Sequence, residues 1–189
     1  MHLSVTAFRQ WLSLPSNDHI IHFYPSDEAL ISNLCEYVST GLEKGDATIV
    51  ITKPIHIKKL CEAVCEHRTG SRELFRNHSV VLNATAILDD IIVDGLPDWG
   101  RFFSTVGSVI GQAVKNNKTI RVYGECMSIL WQAGNKDAAI QLEKYWNKLA
   151  KIYPFSLYCT YPEQLFMKNN SEQVGLNSCH ALITAPQMA

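Results

Sequence analysis

The chain has 189 residues, with 17 lysines and arginines against 18 aspartates and glutamates, and a formal net charge of −1. This length suits about one domain whose core is large enough to need no disulfide bonds. The balanced charge gives no electrostatic reason to expect nucleic acid or an anionic membrane as a partner, and no apolar run reaches the ~20 residues that span a bilayer.

The six cysteines are irregularly spaced and form no CxxC pair. Such spacing is typical of reduced thiols in a cytoplasmic protein. The first residues contain one arginine and no long apolar stretch, so they make a poor signal peptide. We therefore expect a cytoplasmic location.

Five short segments rich in β-branched and aromatic residues predict strands, and amphipathic segments between them predict helices. The predicted strands are 19–24, 47–52, 79–82, 119–123 and 155–160. Residues suited to helix caps precede four of the helices: Ser26, Asn83, Asp98 and Asn135. This alternation predicts a three-layer α/β fold. Its five-stranded sheet is mostly parallel, carries helices on both faces, and has strand 119–123 at its centre.

The two ends of the chain fit this alternation less well. Residues 1–17 hold one short apolar pattern, ended by Pro15, and are predicted to be an N-terminal extension or a docking helix. Residues 167–189 are polar and are predicted to be a C-terminal extension, partly flexible and partly helical near 171–180. The domain itself is therefore expected over 18–166.

One acidic residue, Glu125, directly follows the predicted central strand. Ligands of parallel α/β sheets bind at the carboxyl ends of the strands. The first strand ends with His22 and Tyr24, and Glu28 lies one helical turn further on. Taking the first and fourth strands as neighbours, we expect Tyr24, Glu28 and Glu125 to line one ligand-binding crevice, with His22 and Trp131 as its walls. The alternatives are that Tyr24 and Trp131 pack in the core and that Glu28 serves only the helix N-terminus.

Cys61 and Cys65 lie four residues apart, near His56 and His67, a grouping that could indicate a zinc site. However, Cys61 falls on the predicted buried face of its helix, and no second pair of ligands has metal spacing. Thiols in the core are the better interpretation, so no metal site is predicted.

The sequence also has no set of residues that predicts catalysis. No GxSxG or similar nucleophile motif occurs. Cys126 follows Glu125, but nothing marks it as a thiolate, and Cys159 lies inside an apolar strand and is expected in the core. A non-enzymatic protein is therefore expected, and a hydrolase with Glu125 as general base is the weakest alternative.

Several segments, in the same order along the chain, resemble the MEDS sensory domains, named for methanogen and methylotroph regulators. They are HIIHFYPSDEALISNLCEYVSTGLEKGDATIVITKPIHIKKL, DGLPD, RVYGECMSILWQAGN, LEKYWNKL and PFSLYCTYP. The resemblance covers roughly 18–166. It implies a ligand-sensing, signal-transducing domain with a fold similar to RecA/KaiC ATPases. It also implies an unknown small-molecule ligand and a histidine kinase or transcription regulator as partner. A homodimer is expected separately, because a sensor must transmit its state through a surface and dimers are the commonest oligomers.

Nucleotide chemistry is not expected in spite of that ATPase resemblance. A phosphate-binding loop needs GxxxxGK[ST] between the first strand and the first helix. That junction contains Pro25, Asp27 and Glu28 and has neither glycine nor lysine. Because acidic groups repel phosphate and proline lacks an amide donor, ATP binding is not predicted, and neither is any other cofactor.

Two functions therefore remain ahead of the hydrolase. One is a sensory domain that binds a small molecule at the strand ends and signals to a partner, and the other is a ligand-free protein-interaction or oligomerisation module. An open crevice at Glu125 would favour the first, and a crevice filled by the chain's own side chains would favour the second.

Overall fold

The computed structural model describes residues 2–3, 19–67, 71–116, 119–166 and 182–184. The strands in chain order are β1 His2–Leu3, β2 His19–Tyr24, β3 Ala47–Thr52, β4 Ser79–Asn83, β5 Ile92–Val93, β6 Leu96–Pro97, β7 Ile120–Gly124, β8 Ser156–Pro162 and β9 Leu182–Thr184. The α-helices are α1 Asp27–Glu43, α2 Pro54–His67, α3 Ser71–His78, α4 Ala84–Ile91, α5 Trp99–Phe102, α6 Ser108–Lys115, α7 Cys126–Gln132 and α8 Lys136–Ala150. A π-helical turn, Phe103–Gly107, joins α5 to α6, and a 3₁₀ turn, Glu163–Leu165, follows β8.

Seven of these strands form one parallel sheet in the order β1-β9-β2-β8-β7-β3-β4. The prediction of a three-layer α/β fold is confirmed, and all five predicted strands are present. The very short strands β1 and β9 were not predicted and extend the sheet beyond β2. Strand β7 lies between β8 and β3, in the middle of the five predicted strands, as expected.

The predicted adjacency of the first and fourth strands is wrong. The first strand, β2, pairs with β8 and β9, and β8 separates it from β7. The reason is the apolar composition of β8, in which every residue from Ser156 to Tyr161 is buried. Such a strand is stable only with neighbours on both sides and helices over it, so β8 takes the place beside β7.

Helices cover both faces of the sheet. The chain crosses the sheet from β2 to β3 and β4 toward one edge and then returns through β7 to β8. Because each crossover is right-handed, the helices of the outward path and those of the return path lie on opposite faces of the sheet. Helices α1, α2 and α3 pack on the first face, and α4 to α8 on the second. Each face of the sheet has its own hydrophobic core beneath these helices. Side chains alternate along each strand, so Ile20 and Tyr158 lie in the core on the first face, and Ile21 and Cys159 lie in the core on the second.

The predicted caps are confirmed at all four helix starts. Ser26, Asn83, Asp98 and Asn135 each accept a hydrogen bond from a backbone N–H in the first turn of the helix that follows. Each cap gives a hydrogen-bond acceptor to a backbone N–H that has no partner within the helix, which typically stabilises the folded chain by about 1 kcal/mol.

A tight hairpin, β5–β6, follows α4 and was not among the elements predicted from the sequence. Its turn residues Asp94 and Gly95 have φ values of 49° and 83°, the left-handed conformation that glycine and short polar residues adopt most readily. The side chain of Asn135 donates to the Gly95 carbonyl at 2.7 Å, and the Tyr145 hydroxyl donates to the Pro97 carbonyl at 3.1 Å. The hairpin is therefore fastened to α8.

A buried ion pair lies near the amino ends of β3 and β7. The Arg121 Nε atom on β7 is 2.7 Å from an Asp46 carboxylate oxygen, just before β3, and both residues are buried. A Cβ at Gly41 on α1 would come within 2.6 Å of the Arg121 Cδ atom. Glycine at this position therefore leaves room for the arginine side chain to lie flat under α1.

Some predictions concern residues outside this description. The docking helix within 1–17, apart from the strand at 2–3, and the partly helical tail near 171–180 lie outside the described residues. The expectation of core thiols on α2 is wrong for Cys65, which is exposed, while Cys61 is half-buried. None of the helices in the described ranges has the length and apolar character needed to cross a membrane.

Candidate functional site

The carboxyl ends of β3 and β7 lie side by side, between helices that pack on opposite faces of the sheet. Helix α2 follows β3 on one face of the sheet, and α7 follows β7 on the other. Open α/β sheets bind their ligands at crevices of this kind. Glu125 lies there, after β7, and its backbone N–H donates to the Ile51 carbonyl on β3 at 2.9 Å. Thr52, Lys53 and His56, at the end of β3 and the start of α2, lie opposite.

These residues surround a fully buried carboxylate. The Glu125 Oε2 atom accepts hydrogen bonds from the Thr52 hydroxyl and, at 3.0 Å, from the Lys53 backbone N–H. It also lies 3.0 Å from His56 Nδ1, while the Lys53 ammonium lies 2.9 Å from Oε1. We refer to Glu125, Thr52, Lys53 and His56 as the Glu125 cluster.

The surroundings of Glu125 decide its charge. Burial by itself raises the pKa of a carboxyl group. The His56 hydrogen bond, the Lys53 charge and the Thr52 hydroxyl outweigh it, and the pKa of Glu125 falls to about 2. The carboxylate is therefore ionised at neutral pH and is a weak base.

His56 connects this buried acid to the surface. Its second ring nitrogen, Nε2, lies 3.5 Å from an Asp27 carboxylate oxygen, which is also 3.3 Å from the Lys59 ammonium. Burial raises the pKa of Asp27, but the contacts with Lys59 and His56 hold it below its ordinary value. The line of contacts ends at exposed Asp27 on α1.

Tyr24 lies close to the Glu125 cluster. Its ring is buried at the end of β2, and its hydroxyl is hydrogen-bonded to buried Ser128 on α7. Burial raises the pKa of Tyr24, and the negative charges of Glu125 and Asp27 raise it further. The tyrosine is therefore a neutral hydrogen-bonding group at neutral pH.

The remaining three predicted site residues lie elsewhere. Glu28 is exposed on α1 beside Asp27. His22 stacks on Tyr158, with its Nδ1 atom 2.8 Å from the Tyr158 hydroxyl, and burial lowers the pKa of His22 to about 4. Trp131 is buried on the opposite face of the sheet, with its ring centroid 5.2 Å from that of Phe166. The structure thus brings together Tyr24 and Glu125 but not the five predicted residues.

The sequence model of the MEDS family, the MEthanogen/methylotroph, DcmR Sensory domain, matches residues 18–177. This chain belongs to the MEDS family. A comparison with curated proteins finds no match. The family is one of sensory domains, which agrees with the resemblance noted in the sequence.

In this MEDS domain, Glu125 is covered by the chain's own side chains. An open groove of about 970 Å³ lies between α1 and α2, and we call it the α1–α2 groove. The charged residues that line it are Asp27, Glu28, Glu36, Lys59, Glu62 and Glu66. Asp27 therefore belongs both to this groove and to the line of contacts that leads to Glu125.

Sequence reasoning missed Thr52, Lys53 and, as a partner of Glu125, His56. Each lies at or just after the carboxyl end of β3, and this position was a usable signal once β3 was known to neighbour β7. His56 was considered only as a zinc ligand, because its nearest cysteines are on its own helix. The sequence holds no local pattern that joins it to an acid 69 residues away.

Proposed function

We propose that this MEDS domain binds a positively charged small molecule in the α1–α2 groove and passes the signal to a partner protein or domain. The observation that carries the proposal is the shared position of Asp27. It lines the groove, and it contacts His56, whose other ring nitrogen contacts buried Glu125. A ligand that binds Asp27 would therefore change the contacts of a buried group at the strand ends.

The charge of the groove supports a cationic ligand. Five carboxylates, from Asp27 on α1 to Glu66 on α2, face one ammonium group, that of Lys59. A concave surface lined mostly by one sign of charge raises the local concentration of ligands of the opposite sign. Ile31, Cys35 and Ala63 add apolar contact, which suits an organic amine better than a bare metal ion.

Helix α2 offers a route from ligand to partner. Lys53 directly precedes its first turn, His56 lies within that turn, and Ile55 between them is 54% exposed. A change in the contacts of His56 would shift this turn and the exposed apolar side chain on it. We infer a histidine kinase, a transcription regulator or a second copy of the chain as the partner that responds.

Two other functions have less support. A hydrolase would use Glu125 as general base, but a buried carboxylate with a pKa of about 2 accepts a proton poorly near neutral pH. A ligand-free interaction module is supported by one observation, namely that Glu125 is covered by Thr52, Lys53 and His56 rather than open to solvent. This module is the second candidate.

The test compares small amines with small acids. Thermal unfolding of the full chain is followed with ethanolamine, putrescine and choline, and in parallel with acetate and succinate. The proposal expects saturable stabilisation by at least one amine, lost in Asp27→Asn. It expects the effect to persist in Asp89→Asn, a matched change at an exposed residue of α4 on the other face.

A second measurement separates the two leading candidates. Native mass spectrometry of the chain purified from its own host should show a bound small molecule that Asp27→Asn does not retain. Protein without any bound mass, together with no response to amines, would instead support the interaction module. Sedimentation would then measure its self-association.

A further inference from the structure

A second group of buried polar side chains lies on the other face of the sheet, between the strands and α8. His19 begins β2, Cys159 is on the adjacent strand β8, and Glu143 is on α8. Ile21 on β2 is paired with Cys159 on β8, so their side chains point to the same face of the sheet. His19 is two residues before Ile21 on β2 and therefore points to that face as well. All three residues are buried. We call them the His19 cluster.

Three potential ligand atoms converge in this cluster. The His19 Nε2 atom lies 3.1 Å from the Cys159 sulfur and 3.3 Å from a Glu143 carboxylate oxygen, Oε2. All three atoms lie within 4.8 Å of one another. Around a tetrahedral zinc ion, bond lengths near 2.0–2.3 Å place such atoms about 3.4–3.6 Å apart. The two separations from His19 Nε2 therefore need to change by only a few tenths of an ångström, while the sulfur and the carboxylate oxygen, within 4.8 Å of each other, have to come to about 3.5 Å.

Two neighbouring side chains hold the ligand atoms in the orientation that a metal requires. The Asn147 side-chain oxygen lies 3.0 Å from His19 Nδ1. When a metal ion binds at Nε2, the imidazole hydrogen is on Nδ1, and the Asn147 oxygen accepts from it and holds the ring toward the thiol and the carboxylate. The Tyr161 hydroxyl donates to the other Glu143 oxygen, Oε1, at 2.7 Å. Metal-binding histidines and carboxylates are commonly oriented in this way by a second set of hydrogen bonds.

From these contacts we infer that His19, Glu143 and Cys159 bind one Zn²⁺ ion. The combination of imidazole nitrogen, thiolate sulfur and carboxylate oxygen suits zinc better than magnesium or calcium, which prefer oxygen ligands. The Cys159 thiol loses its proton to solvent as the zinc–sulfur bond forms. Three protein ligands leave one coordination position, which a water molecule fills.

The position of the cluster gives the ion both access and an effect on the fold. His19 is 8% exposed and Asn147 is half-buried, so the cluster reaches solvent beside the start of β2. The ion joins two strands and a helix that are far apart in sequence, since His19 and Cys159 are 140 residues apart. Binding to the folded chain therefore stabilises it by mass action. Zinc gives the sensory domain a second input, separate from the α1–α2 groove.

The first experiment uses the unaltered full chain with its affinity tag removed and its metal stripped by a chelator. Zinc is then titrated against a chromophoric chelator, and cobalt is substituted for zinc. One equivalent of zinc should bind, and the cobalt form should show the absorption bands of tetrahedral coordination together with a cobalt–thiolate charge-transfer band. X-ray absorption of the zinc form should show one sulfur neighbour and the remainder nitrogen or oxygen. Because this experiment needs no variant, coordination by nitrogen and oxygen alone, or no binding in competition with the chelator, overturns the inference.

Variants assign the ligands. Cys159→Ser should abolish the thiolate band and weaken zinc binding most, and Glu143→Gln should weaken it while keeping the band. Asn147→Leu tests a positioning residue and should weaken zinc binding by about 10- to 100-fold, the usual effect of removing such a partner. Unchanged zinc affinity in a folded Cys159→Ser protein overturns the inference.

Two other thiols serve as controls. Cys126→Ser removes a buried thiol of the same core, whose sulfur lies 3.7 Å from the Ala84 carbonyl, and Cys65→Ser removes an exposed one. Both variants should bind zinc as the wild type does. Loss of binding in Cys65→Ser would place the ion at the surface and overturn the inference.

Discussion

Glu125 and Glu143, the two acidic residues at 0% exposure in the described part of this MEDS domain, are equally inaccessible but differ in their neighbours. Glu125 is surrounded by an ammonium group, an imidazole, a hydroxyl and a backbone N–H at the start of a helix. Glu143 accepts from the Tyr161 hydroxyl and lies beside an imidazole, that of His19, which also contacts the thiol of Cys159.

The comparison shows that burial alone does not define what an acid does. The neighbours of Glu125 are one ammonium group and several hydrogen-bonding groups, which compensate its charge within the chain. The neighbours of Glu143 include atoms that donate electron pairs, which is the property a metal ion requires. The first carboxylate therefore acts mainly on stability, whereas the second can also act through an ion taken from solution.

The largest expected effect is that of Glu125→Gln. It leaves the Lys53 charge without its buried partner, and breaking such a pair typically costs about 3–5 kcal/mol. Urea denaturation at neutral pH should show this loss in the free energy of unfolding. Glu28→Gln, at the exposed start of α1, is the control and should lower stability far less, because its charge interacts only with the solvent-exposed helix N-terminus. A Glu125→Gln protein as stable as the wild type would contradict the structural role of the cluster.

Acid should remove nearly as much stability from the wild type. The pKa of Glu125 is about 2 in the folded chain, below its ordinary 4.5. Its contribution is therefore complete above about pH 4.5 and is lost as the pH falls toward about 2. It amounts to about 3 kcal/mol because each unit of pKa shift corresponds to about 1.4 kcal/mol.

Glu125→Gln also provides the control for the acid experiment, since the variant has no carboxyl group to titrate at this position. Denaturation curves at a series of acidic pH values should show the wild type and the variant converging in stability. Parallel pH dependences, with a constant difference between the two proteins, would assign the loss in acid to other groups.

Two matched hydroxyl deletions test whether the clusters differ in metal binding. Thr52→Val removes a donor to Glu125, and Tyr161→Phe removes a donor to Glu143. Each should lower the free energy of unfolding by about 1–3 kcal/mol, because a buried polar group loses a partner. Zinc affinity should fall only in Tyr161→Phe. Equal zinc affinities in the two variants would remove Tyr161 from the support of the metal site.

The smallest effect is expected at the outer end of the line of contacts that leads from Glu125 through His56 to Asp27. Lys59→Met removes an ion pair between Lys59 and Asp27, both of which are exposed. Exposed pairs contribute less than about 1 kcal/mol, so thermal unfolding should change little. Lys53→Met should cost more, since that ammonium lies 2.9 Å from a buried oxygen. A larger loss of stability in Lys59→Met than in Lys53→Met would contradict the structural role assigned to the contacts of Glu125.

The parts of the fold that depend on neighbouring residues could be predicted from the sequence. Apolar runs placed the five main strands, and short polar residues placed the helix caps, because both effects act within a few residues. The order of the strands could not be derived in this way. The position of β8 beside β7 results from packing of the whole sheet, and the expected adjacency of the first and fourth strands failed for that reason.

The candidate site was predictable only in part for the same reason. Glu125 was found because it follows a strand directly, but its partners Thr52 and His56 lie 73 and 69 residues away. The burial of Cys159 was correctly predicted from its apolar strand, yet that pattern contains no information about His19, 140 residues away. Periodicity likewise showed that Trp131 is apolar and helical without showing which of the two cores it joins.

The two ion pairs that join β3 and β7 have a consequence for the alignment of these strands. Asp46 and Lys53 stand just before and just after β3, and their partners Arg121 and Glu125 stand near the two ends of β7. A slip of two residues would keep every apolar side chain on its own face, so hydrophobic burial alone discriminates poorly against it. The same slip would separate both pairs and leave charges buried without partners at both ends. The two pairs therefore select one register for the centre of the sheet.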